Sequence, residues 1–137
     1  MELKHHGLLA ALNGIAERTQ RQFGIPCKVE ANARARTSVK DATSVQLFRI
    51  SQEAVQNAAK HAQASMILIR LHKTKNAWKL AVKDDGVGLR HDKPETEGMG
   101  LRIMQYRAGI IQGTLSVGDD KGGGVLVSCI APADGHR

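Results

Sequence analysis

The stretch Lys83-Asp-Asp-Gly-Val-Gly88, followed after a polar segment by Gly98-Met-Gly-Leu101, decides how the rest of the chain is interpreted. Asp84 ends an alternation of apolar and polar residues, so we expect its carboxylate at the end of a strand. Gly86 and Gly88 allow the backbone to turn tightly and to approach a ligand closely. Gly98 and Gly100 lie at the start of a predicted helix, whose free amides suit an anionic phosphate. The pattern is consistent with a nucleotide site, and also with an ordinary turn.

Composition predicts one globular domain over residues 1–137, because 42% of the residues are hydrophobic and no linker or repeat divides the chain. No apolar run approaches the roughly 20 residues that span a bilayer, and the start lacks a signal-peptide pattern. We therefore expect a cytoplasmic domain that makes no membrane contact itself, whether or not a longer protein that contains it is anchored in a membrane. Cys27 and Cys129 have no metal-ligand spacing and are expected to be reduced, buried thiols. The net charge of +7 permits anionic partners without naming one.

Hydrophobic periodicity predicts a two-layer α/β sandwich. Helices are predicted at about 7–22, 44–62 and 99–111, and strands at 25–30, 66–72, 78–83, 114–117 and 125–130. Residues 31–40 are basic and aperiodic, which predicts a loop or a weak strand element. Asp41 or Thr43 is expected to cap the second helix, and Gly113 to take a left-handed cap conformation after the third. The expected architecture is a mixed β-sheet with about three helices on one face.

The second predicted helix is apolar around most of its circumference but carries one polar stripe. Arg49, Glu53, Asn57 and Lys60 repeat at intervals of four and three residues, with Gln56 and His61 beside them. A solvated edge with an ordinary Arg49–Glu53 ion pair would explain the stripe. An acid, an amide and a base together are also what a magnesium-phosphate site needs, because Mg²⁺ prefers oxygen ligands and phosphates need cations.

Three motifs resemble those of one family. Leu47-Phe-Arg-Ile-Ser-Gln-Glu53-Ala-Val-Gln-Asn57-Ala-Ala-Lys60-His61-Ala is similar to the N box of bacterial sensor histidine kinases, in the branch that signals to NarL-type response regulators. Asp84-Asp-Gly86-Val-Gly88 and Gly98-Met-Gly100-Leu-Arg-Ile-Met-Gln-Tyr-Arg resemble the two glycine boxes of that branch. The resemblance covers residues 7–132. It implies the Bergerat ATP-binding fold, which gyrase, heat-shock-chaperone and mismatch-repair ATPases share.

The resemblance implies a role for each matching residue in binding ATP and Mg²⁺. Asp84 would accept from the exocyclic amine of adenine, while Gly86 and Gly88 would let the chain pass close to the base. Asn57 would ligate magnesium, and Glu53 would hold a metal-bound water or assist proton transfer. The residues expected around the phosphates are Lys60, His61, Gly98, Gly100 and Leu101, with residues 89–97 as a mobile lid.

Two positions depart from the family pattern. Asp85 stands where asparagine is common, and Val125 stands where a threonine hydroxyl usually assists the adenine pocket. No long dimerisation helix with a phosphoacceptor histidine is seen, and His5 and His6 precede a glycine. We therefore expect a catalytic domain that phosphorylates a histidine on another segment, for relay to a response-regulator aspartate.

Two other functions stay open at this point. A stand-alone anti-sigma-type protein serine kinase has the same implied fold and needs no dimerisation helix. A nucleic-acid binder is suggested only by the net charge of +7, and the chain's Trp78, Tyr106, Phe23 and Phe48 mostly have core-like spacings unsuited to base stacking.

Overall fold

The fold consists of helices and strands that follow the periodicity of the sequence. The computed structural model describes residues 2–38, 41–61, 63–87, 94–121 and 123–133. In chain order, the elements are α1 (Glu2–Phe23), β1 (Cys27–Ala31), α2 (Ala33–Arg36), α3 (Ala42–His61), β2 (Ile67–Lys73), β3 (Ala77–Asp84), α4 (Pro94–Ile110), β4 (Thr114–Asp119) and β5 (Val125–Pro132).

The five strands form one sheet in the order β1-β2-β3-β5-β4. β1 and β2 are parallel, and the remaining neighbours are antiparallel, so the sheet is mixed as predicted. β3 lies in the centre, paired with β2 on one side and with β5 on the other. The last residue of β3 is Asp84, which therefore ends the central strand.

The core lies between the sheet and the helices. Residues of β3 alternate between buried and more exposed positions, and the buried set includes Trp78, Leu80 and Val82. α1, α3 and α4 pack on this face, and α3 contacts both of the other two helices. The opposite face of β3 carries exposed Lys79 and Lys83. This arrangement confirms the predicted two-layer sandwich.

The predicted ends of two helices are confirmed by capping contacts. The backbone amide of Ser44 donates to Oδ1 of Asp41 at 2.8 Å, which makes Asp41 the cap of α3. Gly24, with φ +69°, follows α1 and donates its amide to the carbonyl of Gln20 at 2.9 Å. α1 extends to Glu2, and Gly7 kinks it with φ +83°.

Two other local predictions are wrong. The segment expected to be a loop or weak strand contains α2, because the Asn32 side chain caps this short helix and also bonds the backbone of Lys73 at 2.9 and 3.0 Å. The described residues thus contain four helices, of which α1, α3 and α4 are the three expected on one face of the sheet. The left-handed residue after α4 is Gln112, with φ 57°, rather than Gly113. A side chain at Gly113 would instead crowd Sγ of Cys129 at 3.2 Å.

Candidate functional site

Asp84 is the buried acid of the candidate site. Its side chain shares the buried face of β3 with Val82, and only 5% of the residue is exposed. The backbone amide of Gly86 donates to Asp84 Oδ1 at 2.8 Å, and the amide of Val125 donates to the same atom at 3.3 Å. Burial raises the pKa of Asp84 above its ordinary value of 3.8, while these two amides counteract the rise. The carboxylate is thus oriented by the backbone at the end of the central strand.

Gly124 allows the start of β5 to approach Asp84. Its φ is +89°, and a Cβ there would collide with the carbonyl oxygen of Asp84. Such a Cβ would also lie 2.7 Å from Oδ1 of the Asp84 carboxylate. A glycine is therefore needed at this position for two reasons, the left-handed backbone and the close approach.

Asp85 has a different partner from Asp84. Its Oδ1 accepts from the backbone amides of Ser65 and Met66 at 2.8 and 3.0 Å, and its Oδ2 bonds the Ser65 hydroxyl at 2.5 Å. These bonds, with that of the Ser65 hydroxyl strongest, hold the pKa of Asp85 below its ordinary value of 3.8. Asp85 thus ties the end of β3 to the start of β2.

A second group of polar side chains lies where α3 meets α4. A Cβ on Gly100 of α4 would lie 2.6 Å from Oε2 of Glu53 and 3.0 Å from Nδ2 of Asn57. Glu53 and Asn57 are both half-buried and one helical turn apart on α3. The absence of a side chain at Gly100 therefore lets α4 pack directly against the acid and the amide of the predicted stripe.

The other residues of the stripe are exposed to solvent. Lys60 and His61 occupy the last turn of α3, where cations favourably oppose the negative end of the helix dipole. Arg49 donates to Oε1 of Gln52 at 3.1 Å, and its guanidinium lies 5.6 Å from the centre of the Phe48 ring. This side chain therefore lies beside Gln52 and Phe48.

The helix that carries the second glycine pair begins earlier than predicted. α4 starts at Pro94, a residue that suits the first helical position, so residues 94–97 are helical rather than part of an irregular lid. Because only the first four amides of a helix lack intrahelical partners, the amides of Gly98 and Gly100 fall within the bonded part of α4. The prediction that Gly98 and Gly100 supply the free amides at the start of this helix is thus wrong. Leu101 is half-buried, whereas Gly88 and residues 89–93 lie outside the described residues.

Glu53 and Asn57 have the donor types that Mg²⁺ requires. Oε2 of Glu53 and Nδ2 of Asn57 lie against Gly100, and each of the two side chains carries an oxygen of the type that Mg²⁺ binds. Mg²⁺ in phosphate sites is commonly held by one or two side chains together with phosphate oxygens and waters. The pair fits this kind of site.

Two residues of the site were not singled out by sequence reasoning, Gly124 and Ser65. Gly124 lies 40 positions after Asp84 in the sequence, although β5, which it precedes, pairs directly with β3. Its only sequence signal is the run Gly122-Gly123-Gly124 before β5. Ser65 precedes β2 and has no signal of its own. Both contacts depend on the order of strands in the sheet.

Comparison with known proteins gives matches over most of the chain. Residues 42–135 match the family described as histidine kinase-, DNA gyrase B-, and HSP90-like ATPase. The nitrate/nitrite sensor protein NarX of Escherichia coli (strain K12) is 32% identical over 127 residues, which are 93% of this chain and 21% of NarX. The oxygen sensor histidine kinase NreB of Staphylococcus carnosus is 31% identical over 92% of this chain and 36% of NreB. The chain thus spans about a fifth to a third of these curated relatives.

Solved structures support the fold. The blue-light activated histidine kinase of Erythrobacter litoralis superposes with a TM-score of 0.74 and 24% identity, over 95% of this chain and 46% of that chain. The catalytic domain of histidine kinase ThkA gives a TM-score of 0.70 with 17% identity, over 91% of this chain and 92% of that chain. At these identities the similarity establishes the fold alone. Within the described part of the chain, no helix combines the length and apolarity needed to cross a membrane.

Proposed function

Because the chain belongs to the histidine kinase-, DNA gyrase B- and HSP90-like ATPase family, we propose that it binds Mg-ATP and donates the γ-phosphoryl group to a protein histidine. The resemblance to sensor histidine kinases of the NarL-type branch, which the motifs indicated, is confirmed by relatives such as NarX. Donation to a histidine on a dimerisation helix outside this chain, and relay to a response-regulator aspartate, belong to the proposal.

The observation that carries the proposal is the contact of Gly100 with Glu53 and Asn57. Asn57 and Gly100, which belong to two motifs and lie 43 positions apart in the sequence, are adjacent in space, with an acid and an amide at the junction. Phosphoryl transfer depends mainly on positioning and on charge neutralisation. The junction would supply positioning, and its acid and amide carry oxygens that would hold the magnesium needed for neutralisation.

Asp84 is proposed to recognise the base. A carboxylate oriented by the amides of Gly86 and Val125 can accept a hydrogen bond from the exocyclic amine of adenine. Gly86 and Gly88 are proposed to leave room for the base beside this acceptor. Burial raises the pKa of Asp84, and the backbone amides of Gly86 and Val125, which donate to its carboxylate, partly offset this rise.

The polar face of α3 is proposed to bind the phosphates. Asn57 would contribute a metal ligand, and Glu53 would orient a water or accept a proton. Magnesium would neutralise the developing charge on the transferred phosphoryl group. The residues proposed to contact phosphate oxygens are Lys60, His61, Gly98, Gly100 and Leu101. Contact through the amides of Gly98 and Gly100 requires the first turns of α4 to open, because these amides are otherwise bonded within the helix.

The proposed reaction takes place in the cytoplasm, where ATP is available and thiols such as the buried, free Cys27 and Cys129 stay reduced. The excess of cationic side chains that gives a net charge of +7 would favour encounter with the anionic nucleotide.

Transfer of label from ATP tests the function. The domain is mixed with a purified dimerisation-helix protein of a NarL-type kinase and with γ-labelled ATP, and the labelled protein is treated with acid or base. We expect the helix protein to become labelled. Acid should remove this label and base should not, which is the behaviour of phosphohistidine. Acid-stable label would instead favour a serine kinase of the same fold, and no binding of ATP at all would overturn the proposal.

A further inference from the structure

The turn between β4 and β5 lies directly against the carboxylate of Asp84, which is proposed to bind the adenine base. Val125, the first residue of β5, donates its amide to Oδ1 of Asp84 at 3.3 Å. Gly124, immediately before it, is positioned so closely that a Cβ would overlap the backbone carbonyl of Asp84. The approach of this turn and the orientation of the carboxylate are therefore one structural feature.

The turn is held in place by its own contacts. The amide of Asp120 donates to the carbonyl of Gly124 at 2.9 Å, and the amide of Gly123 donates to the carbonyl of Asp120 at 3.0 Å. The carboxylate of Asp120 lies 3.4 Å from Nζ of Lys83, the neighbour of Asp84 in β3. The turn is thus fixed to the end of β3 from both faces of the sheet, which leaves little freedom to absorb a shift at Gly124.

We propose that Gly124 is a positioning residue for adenine recognition: by lacking a side chain it allows the Val125 amide to reach Asp84 and hold the carboxylate toward the base. This inference rests on the proposed binding of ATP and extends it to a residue that does not itself need to touch the nucleotide. In this arrangement the contribution of Val125 comes from its backbone amide.

The proposal differs from a purely structural role in what it predicts about the base. A structural glycine would affect all nucleotides equally. A glycine that orients Asp84 affects only the contact with the exocyclic amine. Purine riboside triphosphate carries the same ribose and phosphates as ATP but has hydrogen in place of that amine, so the ratio of the two affinities reports on the Asp84 contact alone.

The test compares Gly124→Ala with Gly123→Ala as a matched control. Gly123 also has a left-handed backbone, with φ +101°, but a Cβ there would meet no atom within 4 Å. Gly123→Ala therefore carries the backbone strain without the collision. A third variant, Val125→Pro, removes the amide donor at a strand start, where proline is tolerated, and adds no bulk at Gly124.

Affinities for ATP and for purine riboside triphosphate are measured by calorimetry, and folding is followed by circular dichroism. We expect wild type and Gly123→Ala to prefer ATP by about ten-fold or more, as befits a hydrogen bond to a charged group. Gly124→Ala and Val125→Pro are expected to lose most of this preference while still binding both nucleotides through the phosphates.

The outcomes separate this inference from the proposed function. Absence of any preference in wild type would overturn the role of Asp84 as the adenine acceptor, and this inference with it. A wild-type preference that survives in Val125→Pro and in folded Gly124→Ala would overturn the positioning role alone. If Gly124→Ala fails to fold, the Val125→Pro ratio decides, because that variant removes the amide donor and leaves Gly124 without a side chain.

Discussion

Gly100 on α4 lies against the carboxylate of Glu53 on α3, so closely that a methyl group on Gly100 would be 2.6 Å from Oε2. The atom that would be displaced is the end of a flexible side chain rather than backbone. A substitution at Gly100 should therefore move Glu53 without disrupting the packing of the two helices. This relationship allows the function of the site to be separated from the stability of the fold.

Gly100→Ala is expected to weaken binding of Mg-ATP about ten-fold while leaving the melting temperature unchanged or slightly higher. Alanine favours a helix over glycine by about 1 kcal/mol, which offsets the cost of moving Glu53. Gly109→Ala is the control, because Gly109 lies on the same helix with no atom within 4 Å of a Cβ. The control should gain stability and keep its nucleotide affinity. Equal affinities for wild type and Gly100→Ala would argue against Glu53 and Asn57 as phosphate-site residues.

Asn57→Ala is expected to weaken nucleotide binding only when magnesium is present. The reason is that the amide is proposed to act on the nucleotide through the metal. Calorimetry across a magnesium series should show an affinity loss of about ten-fold or more, which disappears in EDTA. Gln56→Ala removes an exposed neighbouring amide and should behave as wild type. If Asn57→Ala matched wild type at every magnesium concentration, the metal role would be wrong.

Asp84→Asn is expected to reduce ATP affinity by about 1.5 to 3 kcal/mol, since it removes a charged acceptor and keeps the shape of the side chain. Asp85→Asn removes the same charge one residue away, where the carboxylate bonds Ser65, and should retain ATP binding. Wild-type affinity in Asp84→Asn, measured by calorimetry, would contradict the proposed adenine contact.

The same substitution should raise the thermal stability of the empty protein at neutral pH. The pKa of Asp84 is raised in the folded state, chiefly by burial, so ionisation of this group opposes folding. This cost appears as pH rises from the ordinary value of 3.8 through the folded-state pKa, and is complete above it. Calorimetric melting of wild type and Asp84→Asn should give similar midpoints near pH 3 and a more stable variant at pH 7. A wild type that is more stable at pH 7 would contradict this sign.

Ionisation of Asp85 should stabilise the folded state, in contrast to ionisation of Asp84. Its pKa is lowered in the folded state, so its contribution to stability is present above the ordinary value of 3.8 and is lost as pH falls through the folded-state pKa. Asp85→Ala should therefore melt below wild type by a few degrees at pH 7, and the gap should narrow below about pH 3.8. Ser65→Ala should give a smaller loss, because two backbone amides still donate to the carboxylate. A gap that stays constant with pH would assign the effect to packing rather than charge.

The parts of the fold predicted well from sequence are those with strong local patterns. β2 and β3 have strict alternation, and the capped, apolar α3 starts within two residues of its predicted position. α2 was missed because four residues give too short a window for periodicity, and its stability depends on Asn32 bonding Lys73 across 41 positions. The early start of α4 was missed because its first turn is polar, although Pro94 is a recognised start signal.

The candidate site was predictable to the extent that it follows from motifs. Asp84 at a strand end and the Glu53–Asn57 stripe follow from spacing alone. The partners of these side chains do not, since Val125 reaches Asp84 only because β5 pairs beside β3. Likewise, the sequence suggested that Asp85, in place of the usual asparagine, affects recognition of the base. In the structure its carboxylate bonds Ser65 and so connects the ends of two neighbouring strands.

The pairing of β3 with β5 has a consequence for how the chain between them can vary. Lys83 pairs with Leu126, so both ends of the long excursion that contains α4 and β4 are anchored by sheet hydrogen bonds. Doubling the length of a loop costs only about 0.6 kcal/mol in closure entropy. Insertions ahead of α4 can therefore accumulate with little thermodynamic penalty, while the acid at the end of the central strand keeps its position. The architecture thus separates Asp84, which the sheet holds in place, from a segment whose length can vary.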